Sequence, residues 1–523
     1  MKKLFYISLL AASVMSASAQ ETYENAKIVS EDLNGTARYV GMGGAMEALG
    51  ADLSTIGSNP AGIGLFRKST ASVSFGFVSQ SDAADMTNAK ATYGSFDQAG
   101  FVWSTNTSGQ KQSFFNFAFN YHKSRNFDYI LGVSDRLSGA SQNKLTYAKA
   151  KNYLLYEYDK EGRPMFDYPY LSCSQLDDAY AEGGIYDATK NQWSYWEADR
   201  YDLKRAEKGY IGEYDFNLSG NINNRVYLGL TVGIHDVHYR HHGEYNEHIV
   251  PEKEEYAPFN LTVSDTRRIT GTGYDVKLGA IFRPVEYSPF RFGLYVSSPT
   301  FYTLTTSNET AVSDGSYTVS TTDSYRYKVY TPWKFGASLG HTFGTQVALG
   351  ATYEYASYGS TDTRFITGSY YNYWGDNSGD RSESDDIMNG HTEQTLKGVH
   401  TLKLGAEFKP LPELALRVGY NYVSPMFEKD GFKDVTLDSD GTYVSTATDY
   451  TNWQATNRVT AGVGYTIGKV NISAAYQLST TKGEFAPFPN YVDAENPADD
   501  VLSDVVKVKN TRHQLLFSLG YTF

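Results

Sequence analysis

The sequence predicts an all-β fold: a 14-stranded antiparallel transmembrane β-barrel with a short N-terminal hatch inside its lumen. Three observations predict it. Residues 1–19 have the make-up of an export leader, many later segments alternate apolar with polar side chains, and the connections between those segments alternate short with long. The expected division is a signal peptide over 1–19, a hatch over 20–69, and a barrel with long extracellular loops over 70–523.

The leader begins with Lys2 and Lys3, continues through an apolar stretch from Leu4 to Met15, and ends on the small residues Ala17, Ser18 and Ala19. That order is the pattern of a cleaved secretory signal, too short for a membrane anchor. Cys173 is the only cysteine, so no intrachain disulfide can staple the fold and no lipid-anchoring cysteine follows the leader. The net charge is −13, which argues against nucleic acid as a partner.

Composition agrees with a barrel. There are 44 tyrosines, 28 phenylalanines and 47 glycines. Tyrosine suits a membrane–water boundary because its ring is apolar and its tip polar. No apolar run after the leader is long enough for a membrane helix. A transmembrane strand needs only about ten residues of alternating polarity.

That alternation recurs. Val226, Leu228, Leu230, Val232 and Ile234 lie opposite Tyr227, Gly229, Thr231 and Gly233. Successive side chains of a strand point to opposite faces, so one face is oily and the other small or polar. The pattern returns at Val276–Phe282, Val347–Tyr355, Leu402–Phe408, Leu414–Tyr422, Val459–Ile467 and Val470–Leu478. Gly, Thr, Asn, Lys, Glu and Arg in mid-strand on the polar face fit a wet lumen better than the inside of a sandwich.

Short connections are expected at Asn221–Asn224, Pro284–Pro289, Phe343–Thr345, Pro410–Pro412 and Gly468–Lys469. Long ones are expected at Leu137–Lys208, His241–Asp265, Thr305–Thr322, Gly359–Glu393, Pro425–Asn452 and Thr481–Asp504, with some helix in the first. A first count gives an odd number of strands, whereas bacterial barrels are even. Joining Gln112–His122 to Phe127–Arg136 across Lys123, Ser124, Arg125 and Asn126 makes one kinked third strand and restores fourteen; a plain hairpin turn there, or a weak first strand outside the wall, is the alternative. The chain ends on Phe517, Leu519, Tyr521 and Phe523 in alternation. A terminal aromatic of this kind resembles the signal read by the outer-membrane barrel assembly machinery.

Residues 20–69 do not alternate. They contain Gly41-Met42-Gly43-Gly44-Ala45, then Ala48-Leu49-Gly50-Ala51-Asp52, then Asn59-Pro60-Ala61-Gly62. A short Gly/Ala-rich helix followed by a tight Asn-Pro turn is expected. This ordered set resembles the hatch of the FadL family, outer-membrane transporters of long-chain fatty acids and aromatic hydrocarbons, with one extra residue in its second element. The resemblance implies a hatch in which Gly41, Gly43, Gly44, Asn59, Pro60 and Ala61 act in gating. It also implies passive diffusion of a hydrophobic cargo and lateral exit through a kink in the third strand, here at Lys123–Asn126. The implied setting is the outer membrane of a Gram-negative bacterium, among its lipid and lipopolysaccharide, as a monomer without cofactor or enzymatic activity.

Two constellations compete for attention. His235, His238, His241 and His242 are a candidate haem or metal set, against which stands a polar extracellular rim; strand parity turns His235 and His238 to opposite faces. Arg38, Arg67, Lys277, Arg291, Lys403 and Arg417 are candidate partners for a cargo carboxylate, or simply solvated lumen charges. No metal-ligand spacing, nucleophile-base set or phosphate loop stands out. A general diffusion porin, a haem receptor, and an adhesin or barrel enzyme remain the alternatives.

Overall fold

A computed structural model describes residues 21–81, 83–86, 89–106, 113–170, 172–251, 257–371, 377–493 and 496–523. The expected leader, and Gln112 at the start of the expected third strand, lie outside the described residues.

The wall is a closed antiparallel barrel of fourteen strands. They are β1 (Thr70–Gln80), β2 (Thr92–Asn106), β3 (Phe114–Asn126 and Tyr129–Arg136), β4 (Ala198–Ile222), β5 (Val226–Ile249), β6 (Phe259–Phe282) and β7 (Arg291–Ser297 and Phe301–Ser313). Then come β8 (Thr318–Tyr330 and Lys334–Phe343), β9 (Val347–Ser357 and Asp362–Tyr371), β10 (Asn377–Ser384 and Gly398–Phe408), β11 (Leu414–Val423), β12 (Tyr450–Ile467), β13 (Val470–Ala486) and β14 (Val506–Thr522). The ring closes where β1 pairs with β14, Thr70 opposite Thr522 and Gln80 opposite Arg512. Pairing of the first strand with the last removes the two edges that an open sheet of these strands would present there.

The two faces follow the alternation. Leu228, Leu230 and Val232 are outward and exposed, while Tyr227, Thr231 and His235 are inward and buried. Outward apolar side chains, Phe75, Trp103, Leu218, Leu278, Leu349 and Val418 among them, encircle the barrel. So wide an apolar belt would be unstable in water and is the surface lipid covers.

Interruptions in β7 and β8 sit side by side. Pro299 and Pro332 lack the N–H that a ladder needs. Around them Thr331 N–H donates to the Thr300 carbonyl at 3.2 Å, and Thr300 N–H donates to Thr331 Oγ1 at 2.8 Å.

The long connections differ from expectation. β4, β5 and β6 are 25, 24 and 24 residues long. At about 3.3 Å per residue they run far beyond a hydrocarbon layer of roughly 30 Å. Hydrogen-bonded ladders therefore replace much of the loops expected at His241–Asp265 and Thr305–Thr322, and part of that at Gly359–Glu393. The ladder satisfies the backbone equally well in water, so strands need not stop at the membrane. The segment between β3 and β4 does contain helix, at Gln142–Lys151 and Gln175–Tyr180.

Residues 21–69 occupy the lumen. The first helix here, Thr22–Val29, was not expected from the sequence. It is bound to long-loop elements: Thr22 Oγ1 lies 2.8 Å from Thr392 Oγ1, and Tyr23 stacks on Phe427 at 5.2 Å. The expected Gly/Ala helix shrinks to Ala37–Gly41, capped by Thr36. Gly43 and Gly44 have φ of +63° and +81°, so the glycines form the turn that ends this helix and are not part of it.

Candidate functional site

The N-terminal segment packs against inward glycines of the wall. A Cβ at Gly229 would overlap the Pro60 carbonyl, and one at Gly279 the Asn59 side chain. On the other side a Cβ at Gly419 would overlap Gly43, while Gly41 lies against Gly462. Asn59 is fully buried. Its Oδ1 accepts from Ala61 N–H at 3.2 Å, and its amide donates to the Glu47 carbonyl at 3.1 Å. Pro60 fits the first position of the short 3-10 helix Pro60–Leu65 because no N–H is needed there. Thr460 Oγ1 donates to the Gly41 carbonyl at 3.2 Å. The expected hatch residues thus lie together at two patches of close backbone approach.

A second contact joins this segment to β3. Among the described residues β2 pairs with β3 from Gln98↔His122 to Asn106↔Phe114. Above that point β2 keeps only β1 as neighbour, and Tyr129–Arg136 keeps only β4. The register of β3 on β4 shifts between Lys123 and Arg125, and the strand breaks at Phe127–Asp128. The orphaned backbone groups are taken up by the N-terminal segment. Asp32 N–H donates to the Ser124 carbonyl at 2.8 Å, Asn126 N–H donates to Asp32 Oδ2 at 3.0 Å, and the Asn34 amide donates to the Lys123 carbonyl at 3.1 Å. Asp32 also faces Arg125 at 3.2 Å, Arg458 at 3.5 Å and Arg512 at 3.9 Å. Burial pushes its carboxyl up, but the three guanidiniums outweigh burial and hold it down at about 2.

Between this segment and the wall lies a cavity of about 300 Å³. Phe127, Tyr129, Tyr358, Met426, Phe427 and Trp453 give it apolar surface; Arg125, Arg458 and Arg512 give it cations. A second cavity, of about 610 Å³, is lined by Val78, Met86, Ala89, Tyr93 and Ile130. Both are lined by Tyr129, Glu207 and Arg512, so the two adjoin where β2 and β3 part. Side chains bridge the gap: the Gln80 amide donates to the Ile130 carbonyl at 2.7 Å, Ile130 N–H donates to Gln80 Oε1 at 2.8 Å, the Asn126 amide donates to the Tyr93 hydroxyl at 3.0 Å, and Lys123 Nζ donates to Ser95 Oγ at 2.7 Å.

The candidate histidines do not assemble. His235 and His241 are inward and buried, six residues apart on β5, or roughly 20 Å at strand rise. His238 and His242 point the other way; His238 meets Asp236 at 2.9 Å. All four lie within β5, so the loop expected at His241 begins later. The candidate lumen cations mostly have carboxylate partners already. Glu407 accepts from Arg38 and Arg417, Glu47 accepts from Lys403 at 2.9 Å, and Lys277 is enclosed by Glu213, Asp215 and Asp275. Arg291 donates to the Leu49 carbonyl at 2.6 Å, and Arg67 donates to Asn224. The cationic cavity residues Arg458 and Arg512, and Asp32 that binds them, were missed; only strand register brings them together.

Against solved structures, the chain matches a Pseudomonas aeruginosa FadL homologue with a TM-score of 0.51 at 11% identity, over 94% of this chain and 99% of that one. It matches the P. putida toluene transporter TodX with a TM-score of 0.50 at 12% identity, over the same shares. No family model matches the sequence, and no curated protein does. The fold is that of FadL-type barrels: fourteen strands around an internal N-terminal segment.

Proposed function

We propose that the protein is an outer-membrane transporter of the FadL type, carrying small hydrophobic compounds passively, with the N-terminal segment as hatch. The observation that carries this reading is the pair of adjoining cavities, one in the lumen and one at the wall, where β2 and β3 separate. The short-turn end would face the periplasm and the long loops the exterior. Cargo caught among the long-loop elements would rest in the lumen cavity and leave sideways at the β3 break once the Asp32–Asn126 contact parts. Lateral release suits an oily solute, because a watery exit gives it no favourable solvent. The mixed lining favours a cargo with an apolar body and an anionic end, such as a fatty acid, over a bare hydrocarbon.

The filled lumen counts against a general diffusion porin, and the scattered histidines against a haem receptor. Neither cargo binding nor transport requires an enzyme. The test is uptake of a labelled long-chain fatty acid by cells lacking their own transporter. Expression of the protein should raise uptake, and Asn59→Ala with Pro60→Ala should lower it while the barrel still assembles. Wild-type expression that leaves uptake at background, or large ohmic conductance in planar bilayers, would reject this reading.

A further inference from the structure

Just below the β3 break the wall carries a buried group of ionisable side chains that the transport reading does not use. Cross-strand register assembles it. Glu213 of β4 lies opposite His122 of β3 on one side and His235 of β5 on the other. Asp215 follows two residues on along the same face, and Asp275 and Lys277 come from β6. Glu213, Asp215, His235, Asp275 and Lys277 are all at most 5% exposed.

Carboxylates outnumber the ammonium in this group. Three carboxylates face one Lys, a net −2 when all three are ionised and the imidazoles neutral, and burying unpaired charge is costly. Lys277 uses one side of the group, contacting Glu213 Oε1, Asp215 Oδ1 at 3.2 Å and Asp275 Oδ2 at 3.3 Å. The other oxygens of Glu213 and Asp215 turn to His122. Glu213 Oε2 lies 3.5 Å from His122 Nε2, and Asp215 Oδ2 lies 3.5 Å from His122 Nδ1. Asp215 Oδ2 is buried and has no hydrogen-bond partner among the described residues. His235 lies 3.2 Å from Asp275 Oδ2 and, at the longer distance of 3.8 Å, faces Glu213 Oε2 from the other side.

We propose that His122, Glu213 and Asp215 bind a divalent transition-metal cation of the zinc class. One ligand atom from each lies within 4.8 Å of the others. A tetrahedral site with bonds of about 2.0–2.1 Å has ligand separations of roughly 3.4 Å, so modest side-chain rotation completes it. One imidazole and two carboxylates suit a borderline cation better than calcium or magnesium, which take oxygen ligands. A dication also cancels the net −2. His122 and Glu213 line the lumen cavity, which supplies an entry path and room for water as a fourth ligand. Gly57 covers the group: a Cβ there would stand 3.1 Å from His122 Cε1 and 3.4 Å from Asp215 Oδ2. A bound ion would tie the last β2-paired residue of β3 to β4, directly under the break. This site stands whether or not the cargo is hydrophobic.

The test uses the full-length barrel in detergent, stripped with chelator, re-equilibrated with zinc, passed through a desalting column and assayed for metal. Wild type and the outward control His238→Ala should retain one equivalent, while His122→Ala with Asp215→Asn should retain none. Zinc lost by wild type, or kept undiminished by the double variant, overturns the proposal. If the double variant does not show the heat-modifiable migration of a folded barrel, cobalt loading of wild type decides instead. Visible cobalt absorption that zinc abolishes supports the site, and a spectrum identical to free cobalt overturns it.

Discussion

The carboxylate of Asp32, in the N-terminal segment, accepts a 3.0 Å hydrogen bond from the backbone N–H of Asn126 in the wall. With Asp32 N–H donating to the Ser124 carbonyl, one lumen residue occupies the ladder positions that β2 has vacated. Segment and wall gap therefore share a joint, and displacement of one exposes unsatisfied backbone in the other.

Asp32→Asn keeps the shape of that joint and removes its charge. Loss of charge-assisted bonds to Arg125 and the Asn126 amide should cost about 2 kcal/mol locally. Hydrogen exchange at Ser124–Asn126 should quicken while the β1–β14 closure stays protected. Equal protection of Ser124–Asn126 in variant and wild type would show that the charge does not hold the joint.

Acid should do the same without mutation. The Asp32 carboxyl sits at about 2 when folded, below its ordinary value of 3.8. A depressed carboxyl contributes stability that is complete above the ordinary value and is lost as pH falls through the folded one. Protease cleavage within residues 21–69 should therefore rise between about pH 4 and pH 2, read with an acid-active protease, and should not rise on going from pH 5 to pH 8. Asp32→Asn should already be cleaved at pH 7 and lack the acid step.

Asn59→Ala removes the cap on Ala61 and the bond to the Glu47 carbonyl from a fully buried position. A cap of this kind is worth about 1–2 kcal/mol, too little to unfold a barrel of fourteen strands. Uptake should fall several-fold with unchanged heat-modifiable migration. Unfolding of the whole barrel would instead make Asn59 a residue of global stability.

Gly279→Val tests the close approach directly. Its side chain would collide with Asn59 and Pro60, whereas the strand itself tolerates valine. The N-terminal segment should be displaced and the lumen opened, giving ion conductance in planar bilayers that wild type lacks. A silent variant would mean that the wall yields instead.

Much of the wall was legible because one face meets lipid. Val226–Ile234 can be read as a strand, with its orientation, from alternation alone. The same rule fails higher up: in Tyr239–Ile249 one face is polar and the other mixes Tyr239, Tyr245 and Ile249 with His241 and Glu247, so ladder and loop look alike. The helix Thr22–Val29 gave little signal because it is short and buried on most sides, which erases the apolar stripe. The glycine motif was visible, but its partners at Gly229, Gly279 and Gly419 belong to distant strands. His122 drew no notice beside the run from His235 to His242, because its place opposite Glu213 is decided only by register.

Gln80 has a wider consequence. Its amide stands in for a neighbouring strand at Ile130, so above His122 the wall is bridged there by a side chain where a ladder would otherwise run. Topologically the molecule is a ring at its short-turn end and an open sheet, with two free borders, at the other. A ring can widen only by breaking backbone pairs all along a strand, but such a sheet can spread by rotating a few side chains, Gln80, Asn126 and Lys123 among them. Local breathing at that border then leaves the circumference below it intact.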